Sequence, residues 1–579
     1  MPHHPVPKQI VRRPVPQQNG HFSDLPPLLR RIYLSRDLTS EEELDRSLAK
    51  LPSPWLLSGM ENLVSHLIEA IQTKKHLLIV ADFDADGATS CAVGLLGLEA
   101  MGAAKVSYIV PNRFEFGYGL TPEIVAVAAR HQPDVLLTVD NGISSIEGVK
   151  VAKALGLTVL VTDHHLPGTE LPEADAIVNP NLAGDAFPCK ALAGVGVMFY
   201  VLMALRTRLR ESGWFAHAGI PEPNLAQWLD LVALGTVADV VALDRVNRIL
   251  VHQGLQRIRQ GKARPGIVAL LEVAGRKPSA AVAADLGFFA GPRLNAAGRL
   301  EDMGQGIACL LCEESAAARA MATQLDQLNR DRREIEEQMK LDAYAILAKL
   351  DGMQRAKELA GVCLFDASWH QGVIGILASR IKDRLHRPVI AFAPVGNGEV
   401  KGSARSIPGV HIRDVLSNIA ATRPDVLVRF GGHALAAGLS LNEGNYMEFA
   451  KLFNEEVWKH LAGLDLAHAV HSDGELTADE LRLENAEILQ QAGPWGQGFP
   501  EPVFDGEFEV VQARVVGEKH LKLVLKTADK KRMIDGIAFF VDDPESWLGC
   551  QRIKLVYKLD VNEFRDNRTV QMRIEYMEA

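Results

Sequence analysis

"HLLIVADFDADGATS", residues 76–90, runs from an aliphatic stretch straight into three carboxylates at alternate positions, Asp82, Asp84 and Asp86. Like charges so spaced repel one another and lose solvation unless something positive sits among them, and a divalent cation meets that need. The pattern D-x-D-x-D-G matches the start of a calcium-binding EF-hand loop. That reading fails, because the twelfth loop position, where a bidentate Glu is required, is Val93, and the preceding segment reads as a strand instead of a helix. The three carboxylates are therefore expected at the carboxyl end of a parallel strand, where open α/β sheets place their sites.

Further short aliphatic runs, "KVSYIV" (105–110), "DVLLTVD" (134–140), "TVLVTDHH" (158–165) and "DAIVNPN" (175–181), alternate with helical text such as "PEIVAVAARH". That alternation predicts a parallel sheet with helical crossovers. From Ala316 to Leu350 the apolar residues Met321, Leu325, Leu328, Ile335, Met339, Ile346 and Leu350 fall mostly three or four apart among many charges, which predicts one long helix bridging two domains. A second α/β unit follows, with strands at "GVCLFD" and "PVIAFAP". After about His471, "LKLVLK", "IKLVYKLDV" and "VQMRIEYM" alternate apolar with polar residues, the period of antiparallel strands with one wet face, and a small β-barrel is expected. The expected boundaries are a flexible Pro-rich leader at 1–45, a first α/β domain at 46–312, the linking helix at 313–355, the second domain at 356–465 and the barrel at 466–579.

With 579 residues, 47% of them hydrophobic, the chain has ample apolar material for several cores. It shows neither a membrane-spanning apolar run nor a signal-peptide core, so a cytoplasmic protein is expected. Six cysteines are scattered, and only Cys309 and Cys312 have metal-like spacing, within what reads as an apolar helix lacking a second pair. A net charge of −10 argues against coating nucleic acid by bulk attraction, though not against a narrow basic groove. The cluster "RIRQGKAR", Arg257 to Arg264, reads either as a phosphate contact or as a solvated helix end.

Three more clusters fall at expected element ends: Asp140 in "TVDNGIS", Asp163, His164 and His165 in "VTDHHLPG", and Asp239 in "GTVADVVALDRVNR". Singly, each has an ordinary explanation in turn or cap chemistry. Together they supply enough oxygen ligands, with imidazole, for two cations sharing a carboxylate. That donor set suits Mn2+ or Mg2+, and a two-cation site suits phosphoryl chemistry.

"ADFDADG", "TVDNGIS", "TDHH" and "GTVADVVALDRVNR" resemble the four motifs of the DHH phosphoesterase superfamily. "GPRLNAAGRLEDM", "HQGVIGILASR", "KGSARS" and "FGGHALAAG" resemble, in order and over nearly the whole chain from about residue 50, its bacterial branch of single-strand-specific DNA exonucleases. The resemblance implies a parallel-sheet DHH domain, a linking helix, a DHH-associated domain and an oligonucleotide-binding (OB) barrel. It implies a 5′ to 3′ exonuclease that uses two divalent cations, Mn2+ or Mg2+, works in DNA repair and recombination, and acts as a monomer alongside single-strand-binding protein. Carried onto this chain, Asp84, Asp86, Asp140, His164 and Asp239 would hold metal and His165 would face the scissile phosphate. Many relatives carry a ligating His where this chain has Val80, so Asp82 is taken as the substitute ligand.

For the strand itself, "PNRFEFGYGL" sets Arg113 among aromatic residues including Tyr118, a combination that serves single strands by phosphate pairing and stacking, or that simply closes a sheet edge. Lys401, Ser403 and Arg405 alternate with small residues and could converge on one terminal phosphate. Gly431 and Gly432 read as preceding a helix start with His433 beside it, a possible anion site or only a tight turn. Arg293, Arg299 and His370 complete the expected DNA contacts. Two other functions fit parts of this pattern: hydrolysis of short oligonucleotides or cyclic dinucleotides, and a non-catalytic replication scaffold. The barrel speaks against the first, and the full set of acidic and imidazole residues against the second.

Overall fold

The computed structural model describes residues 9–16, 22–112, 116–351, 359–461, 469–541, 543–564 and 567–578. Residues 10–326 with 470–579 form one compact unit, and 327–469 form another.

In the first unit five strands pair in parallel: β1 (His76–Ala81), β2 (Lys105–Ile109), β3 (Val135–Val139), β4 (Thr158–Thr162) and β5 (Ala176–Val178). Their order is β2-β1-β3-β4-β5. β1 and β3 are buried at every position, as befits unbroken aliphatic strands covered on both faces. The chain leaves β1 for β2 on one side and then reaches β3 on the other, so the order reverses between β1 and β3. That reversal opens a crevice beyond the strands' carboxyl ends. Asp82 follows β1 and Asp140 follows β3.

Four helices frame the crevice: α1 (Ala85–Ala100), α2 (Gly194–Glu211), α3 (Leu229–Ala238) and α4 (Gly291–Leu300). α1 is buried nearly all round, rich in Ala and Gly, which lets α2 and α3 approach closely. Among the described residues no helix is long and apolar enough to cross a membrane.

The expected long helix is present as α5 (Ser315–Asp351). Beyond it lies the second unit's sheet: β6 (Val362–Phe365), β7 (Val389–Gly396), β8 (Glu399–Arg405), β9 (Arg429–Gly432) and β10 (Ala436–Asn442), in the order β9-β10-β8-β7-β6. Only β6 and β7 pair in parallel. Between β6 and β7 runs α6 (Ile374–Leu385), and Phe392, Phe449 and Phe453 lie in this unit's core.

The C-terminal strands β11 (Phe504–Val516), β12 (His520–Thr527), β13 (Met533–Ala538), β14 (Arg552–Phe564) and β15 (Asn567–Glu578) close a barrel in the order β11-β12-β13-β15-β14. β12 shows the expected alternation, with Leu521, Leu523 and Leu525 inside.

The leader departs from expectation. Its Pro-rich composition reads as mobile, yet Pro27–Leu34 is a helix that buries Leu28, Leu29, Ile32 and Tyr33. Tyr33 donates to Ala492 O at 3.0 Å and stacks near Phe499, Arg36 pairs with Asp473, and Arg12 pairs with Asp505 at 2.6 Å. Proline suits helix entry, and here it starts a helix whose apolar side has a partner over 400 residues away.

Candidate functional site

Asp84 caps α1: its Oδ1 accepts the Asp86 and Gly87 N–H groups at 2.9 and 3.0 Å. That cap holds the turn which aims Asp82 and Asp86 at the crevice. Asp86 then meets the amino terminus of α2, accepting the Gly194 and Val195 N–H groups at 2.7 and 2.9 Å, where the helix dipole favours an anion. Asn295 of α4 accepts the Ala85 N–H at 2.8 Å and ties a fourth element to the same turn.

Asp140 adopts φ +63°, a left-handed conformation that Asp tolerates, at the Asp-Asn-Gly turn. The residue is 1% exposed, and its Oδ1 has no hydrogen-bond donor among the described residues. His164 Nε2 lies 3.1 Å from Asp140 Oδ1, 3.5 Å from Asp239 Oδ2 and 3.9 Å from Asp86 Oδ2. Three overlapping sets have ligand atoms close enough to share an ion: Asp82, Asp84 and Asp140; Asp86, His164 and Asp239; and Asp140, His164 and His165. Burial, and then the charges of its acidic neighbours, pushes the carboxyl of each of Asp82, Asp140 and Asp239 well above the ordinary range. Asp86 is pushed up to about 7, by burial first and Asp84 second. So many carboxylates desolvated around one point, with an imidazole among them, is the donor chemistry of a hard-to-borderline divalent cation.

Asp163 does different work. Its Oδ1 accepts the His164 and His165 N–H groups and lies 2.7 Å from His165 Nδ1, while its Oδ2 accepts the Ile143 N–H. Burial alone would lower the His165 pKa, but the hydrogen bond and charge of Asp163, with the charges of Asp82 and Asp239 behind it, raise it to about 9 in the metal-free chain and so favour the imidazolium. Tyr118 packs edge-on against this ring, its hydroxyl 3.2 Å from Nδ1. Asn179 and Asn181 donate to the His165 and His164 carbonyls, fixing both rings' backbone.

In the second unit β8 turns Lys401, Ser403 and Arg405 to one half-exposed face and Val400, Gly402 and Ala404 to the core. Arg405 Nη1 donates to Ser403 Oγ at 3.1 Å. A Cβ at Gly375, in the first turn of α6, would lie 2.9 Å from both Arg405 Nη2 and Ser403 Oγ. A helix amino terminus, a guanidinium and a hydroxyl thus meet at one spot, with half-buried His370 in the loop that enters α6.

Several expectations are corrected here. Gly432 precedes no helix: it closes the hairpin between β9 and β10 at φ +146°, where a Cβ would lie 2.5 Å from Ala436 O. A tight turn is its reason, and His433 sits in that turn, its N–H donating to Ala436 O. Arg293 is buried, pairs with Asp326 at 2.6 Å and donates to Phe289 O. Arg299 lies in the last turn of α4, half-buried. Arg113 falls outside the described residues. In "RIRQGKAR" Arg257, Arg259 and Arg264 donate to the carbonyls of Lys262, Ala281 and of Leu310 and Leu311, which closes a helix end. Val80 is wholly buried in β1, which leaves Asp82 at the strand's mouth. Gly194 and Asn295 were missed, although "AGVGVMFY" carries the small-residue signal of a helix entry at an anion.

A reversal-point crevice lined by carboxylates and a paired Asp-His-His defines a phosphoesterase of the DHH class. Residues 76–236 match the DHH family, N-terminal domain, 357–459 the DHHA1 domain, and 472–576 the RecJ OB domain. The chain is 53% identical over 574 residues to the single-stranded-DNA-specific exonuclease RecJ of Salmonella typhimurium, with 98% of each chain covered. It is 52% identical over 571 residues to that of Escherichia coli, again covering 98% of each. The structure of Thermus thermophilus RecJ in complex with Mn2+ superposes with a TM-score of 0.77 at 30% identity, covering 96% of this chain and 76% of that one. The complex with Mg2+ gives 0.72 at 29% identity, covering 96% and 75%. The chain belongs to the RecJ family of single-stranded-DNA-specific exonucleases.

Proposed function

We propose that this chain degrades single-stranded DNA from its 5′ end, releasing 5′-mononucleotides by hydrolysis at two divalent cations, Mn2+ or Mg2+. The carrying observation is the convergence of Asp82, Asp84, Asp86, Asp140, His164 and Asp239 on one crevice, where burial and acidic neighbours raise the carboxyls of Asp82, Asp86, Asp140 and Asp239 above their ordinary range. These six side chains would hold the cations, which when bound supply Lewis-acid charge and ease the ionisation of water. His165, kept protonated by Asp163, faces the scissile phosphate and donates a proton to the leaving 3′ oxygen. Tyr118 steadies that ring and offers its exposed face to a base. Ser403 and Arg405, with the first turn of α6, take the terminal 5′ phosphate. The hydrolytic centre lies in the division 46–312, phosphate capture in 356–465, the bridging helix in 313–355, and strand holding in the barrel, 466–579. The same reading makes the chain a cytoplasmic monomer that works alongside single-strand-binding protein. Sedimentation at several concentrations tests the monomer, and turnover on coated strands tests the partner.

The decisive experiment is digestion of oligonucleotides of graded length, labelled at either end, with and without Mn2+. A 5′ label should appear at once as mononucleotide, only with metal, and duplex ends should be spared. Early release of a 3′ label would overturn the polarity. Cleavage confined to the shortest substrates would favour a short-oligonucleotide phosphodiesterase.

Two further results are expected. Arg405→Ala should weaken binding of 5′-phosphorylated ends by about 1.5–3 kcal/mol, the worth of a charged hydrogen bond, with little change for unphosphorylated ends in a competition assay. Equal losses on both would reassign Arg405 to general backbone contact. On the barrel, Lys522 pairs with Asp535 at 2.8 Å, while Lys531 meets Asp529 only at 3.7 Å, which leaves Lys519, Lys526, Lys530, Lys531 and Arg532 as the stronger phosphate candidates. Deleting the barrel would strip the partners of Tyr33 and Arg12, so substitution is the cleaner probe. Changing Lys530, Lys531 and Arg532 together to Gln should flatten the slope of log affinity against log salt by up to roughly 2, about 0.7 for each phosphate left without a cation. An unchanged slope would take the barrel's basic edge out of DNA binding.

A further inference from the structure

Beside the carboxylate cluster the surface carries two large apolar side chains that the fold makes no use of. Phe288 is 74% exposed and Val240 is 64% exposed. Val240 follows Asp239 directly, just past the end of α3. Phe288 belongs to a π-helical turn, Leu286–Ala290, that leads into α4. The two elements touch: a Cβ at Gly287 would lie 3.1 Å from Val237 Cγ1, and one at Gly291 would lie 3.0 Å from Ala238 Cβ. The two side chains thus leave neighbouring pieces of backbone at the same end of α3.

Each exposure has a local cause that natural packing would ordinarily remove. Pro292 has no N–H to offer the Phe288 carbonyl and its ring would clash there, so the helix widens into the π turn. One extra residue in a turn rotates the following register by about 100°. The turn is fastened in place, because Arg293 donates to Phe289 O at 2.7 Å and Arg276 lies 4.8 Å over the Phe289 ring. Phe289 is thereby engaged, and Phe288 is held outward. Val240 sits at φ +62°, a conformation that a β-branched residue adopts only under strain, and such strain gathers at functional sites. A glycine or asparagine would sit there more easily, so the valine side chain must return something outside the free fold.

We infer that Phe288 and Val240 form an apolar ledge beside Asp239 on which a base of the DNA substrate stacks. The inference rests on the proposed role of the Asp239 cluster as the hydrolytic centre. A phosphate at that cluster carries its base within one nucleotide's reach, and a base offers a flat apolar face to match an exposed ring next to a polyanion site. The ledge would grip any base, so it would set how firmly the reacting nucleotide is oriented and not which sequence is cut.

The test uses the full chain with Mn2+ and single-stranded oligonucleotides, either unmodified or with one abasic site at each of the first three positions. Phe288→Ala should raise KM by about 5- to 150-fold on the unmodified strand, the range for loss of one stacked base, and Phe288→Trp should restore it. An abasic site at the matching position should cost the wild type a similar factor and cost Phe288→Ala nothing more. Val240→Gly should raise both Tm and KM, since it relieves strain and removes the apolar surface under the base. An unchanged KM for Phe288→Ala, or losses that multiply with an abasic site at every position, would overturn the ledge and leave a protein partner as its occupant. Asp140→Ala, run in parallel, keeps the two readings apart: if it stays active the hydrolytic centre itself is misplaced, whereas if it is dead while Phe288→Ala behaves as wild type only the ledge fails.

Discussion

Asp140→Ala should lower cleavage of single-stranded DNA by at least about 10³-fold while the protein stays folded and still binds DNA. The size follows from losing several kcal/mol of charge stabilisation at the reacting phosphate. The preserved fold follows from the site's own electrostatics. Burial first, then Asp86, Asp84, Asp82 and Asp239, disfavours the ionised form of Asp140, so removing it relieves repulsion in the metal-free protein. Gly194→Ala offers an independent route to the same loss, because the added Cβ would lie 2.5 Å from Asp140 Oδ1 and push the carboxylate aside without deleting it. Turnover, DNA affinity and circular dichroism of both variants make the check. Substantial residual turnover by Asp140→Ala would remove it as the shared ligand.

The parts of this site that local pattern revealed are those whose chemistry is written in consecutive residues. Asp82, Asp84 and Asp86 sit where an aliphatic strand stops, and Asp140 where Asp-Asn-Gly turns the chain, so each announces both its element and its position at the element's end. The supports were invisible because they act across sequence. Gly194 donates to Asp86 across 108 positions, and Asn295 accepts from Ala85 across 210. Arg293 shows the same limit: its pairing with Asp326, on another helix, cannot be read from the residues around it. The leader failed on composition, since a proline-rich segment reads as mobile when its partner, the Trp495 and Phe499 stack, lies at the far end of the chain. In the "FGGH" segment two glycines fit a helix entry and a hairpin equally well, and only the pairing of β9 with β10 decides between them.

The crowding that makes the crevice a cation site also makes the metal-free protein sensitive to pH in an unusual direction. Asp86 titrates at about 7 in the folded chain against an ordinary 3.8, and Asp82, Asp140 and Asp239 are raised well above that value. Between those limits the folded state binds more protons than the unfolded state, so metal-free stability falls as pH rises. His165 acts the same way: raised to about 9 from 6.5, its stabilising contribution is full below about 6.5 and is lost as pH climbs through 9. Asp163 has the opposite sign, lowered chiefly by His165 against its own burial, but its contribution is lost only as pH falls below about 4, outside this window. Cations reverse the trend, since they favour the ionised carboxylates and release protons on binding. At pH 8, saturating Mn2+ should therefore raise Tm by roughly 5–10 °C over the chelated protein, as two sites each contributing about 2.7 kcal/mol at a hundredfold excess over Kd would do. On moving to pH 6 the chelated protein's Tm should rise and the gap should narrow. Asp140→Ala, with one crowded carboxylate fewer, should show a flatter pH dependence when chelated and a smaller response to Mn2+. The measurement is Tm by scanning calorimetry at pH 6, 7 and 8, with chelator or with Mn2+. A chelated protein that grows steadily more stable from pH 6 to 8, or a Tm indifferent to Mn2+, would show that these carboxylates are neither mutually repelling nor waiting for a cation.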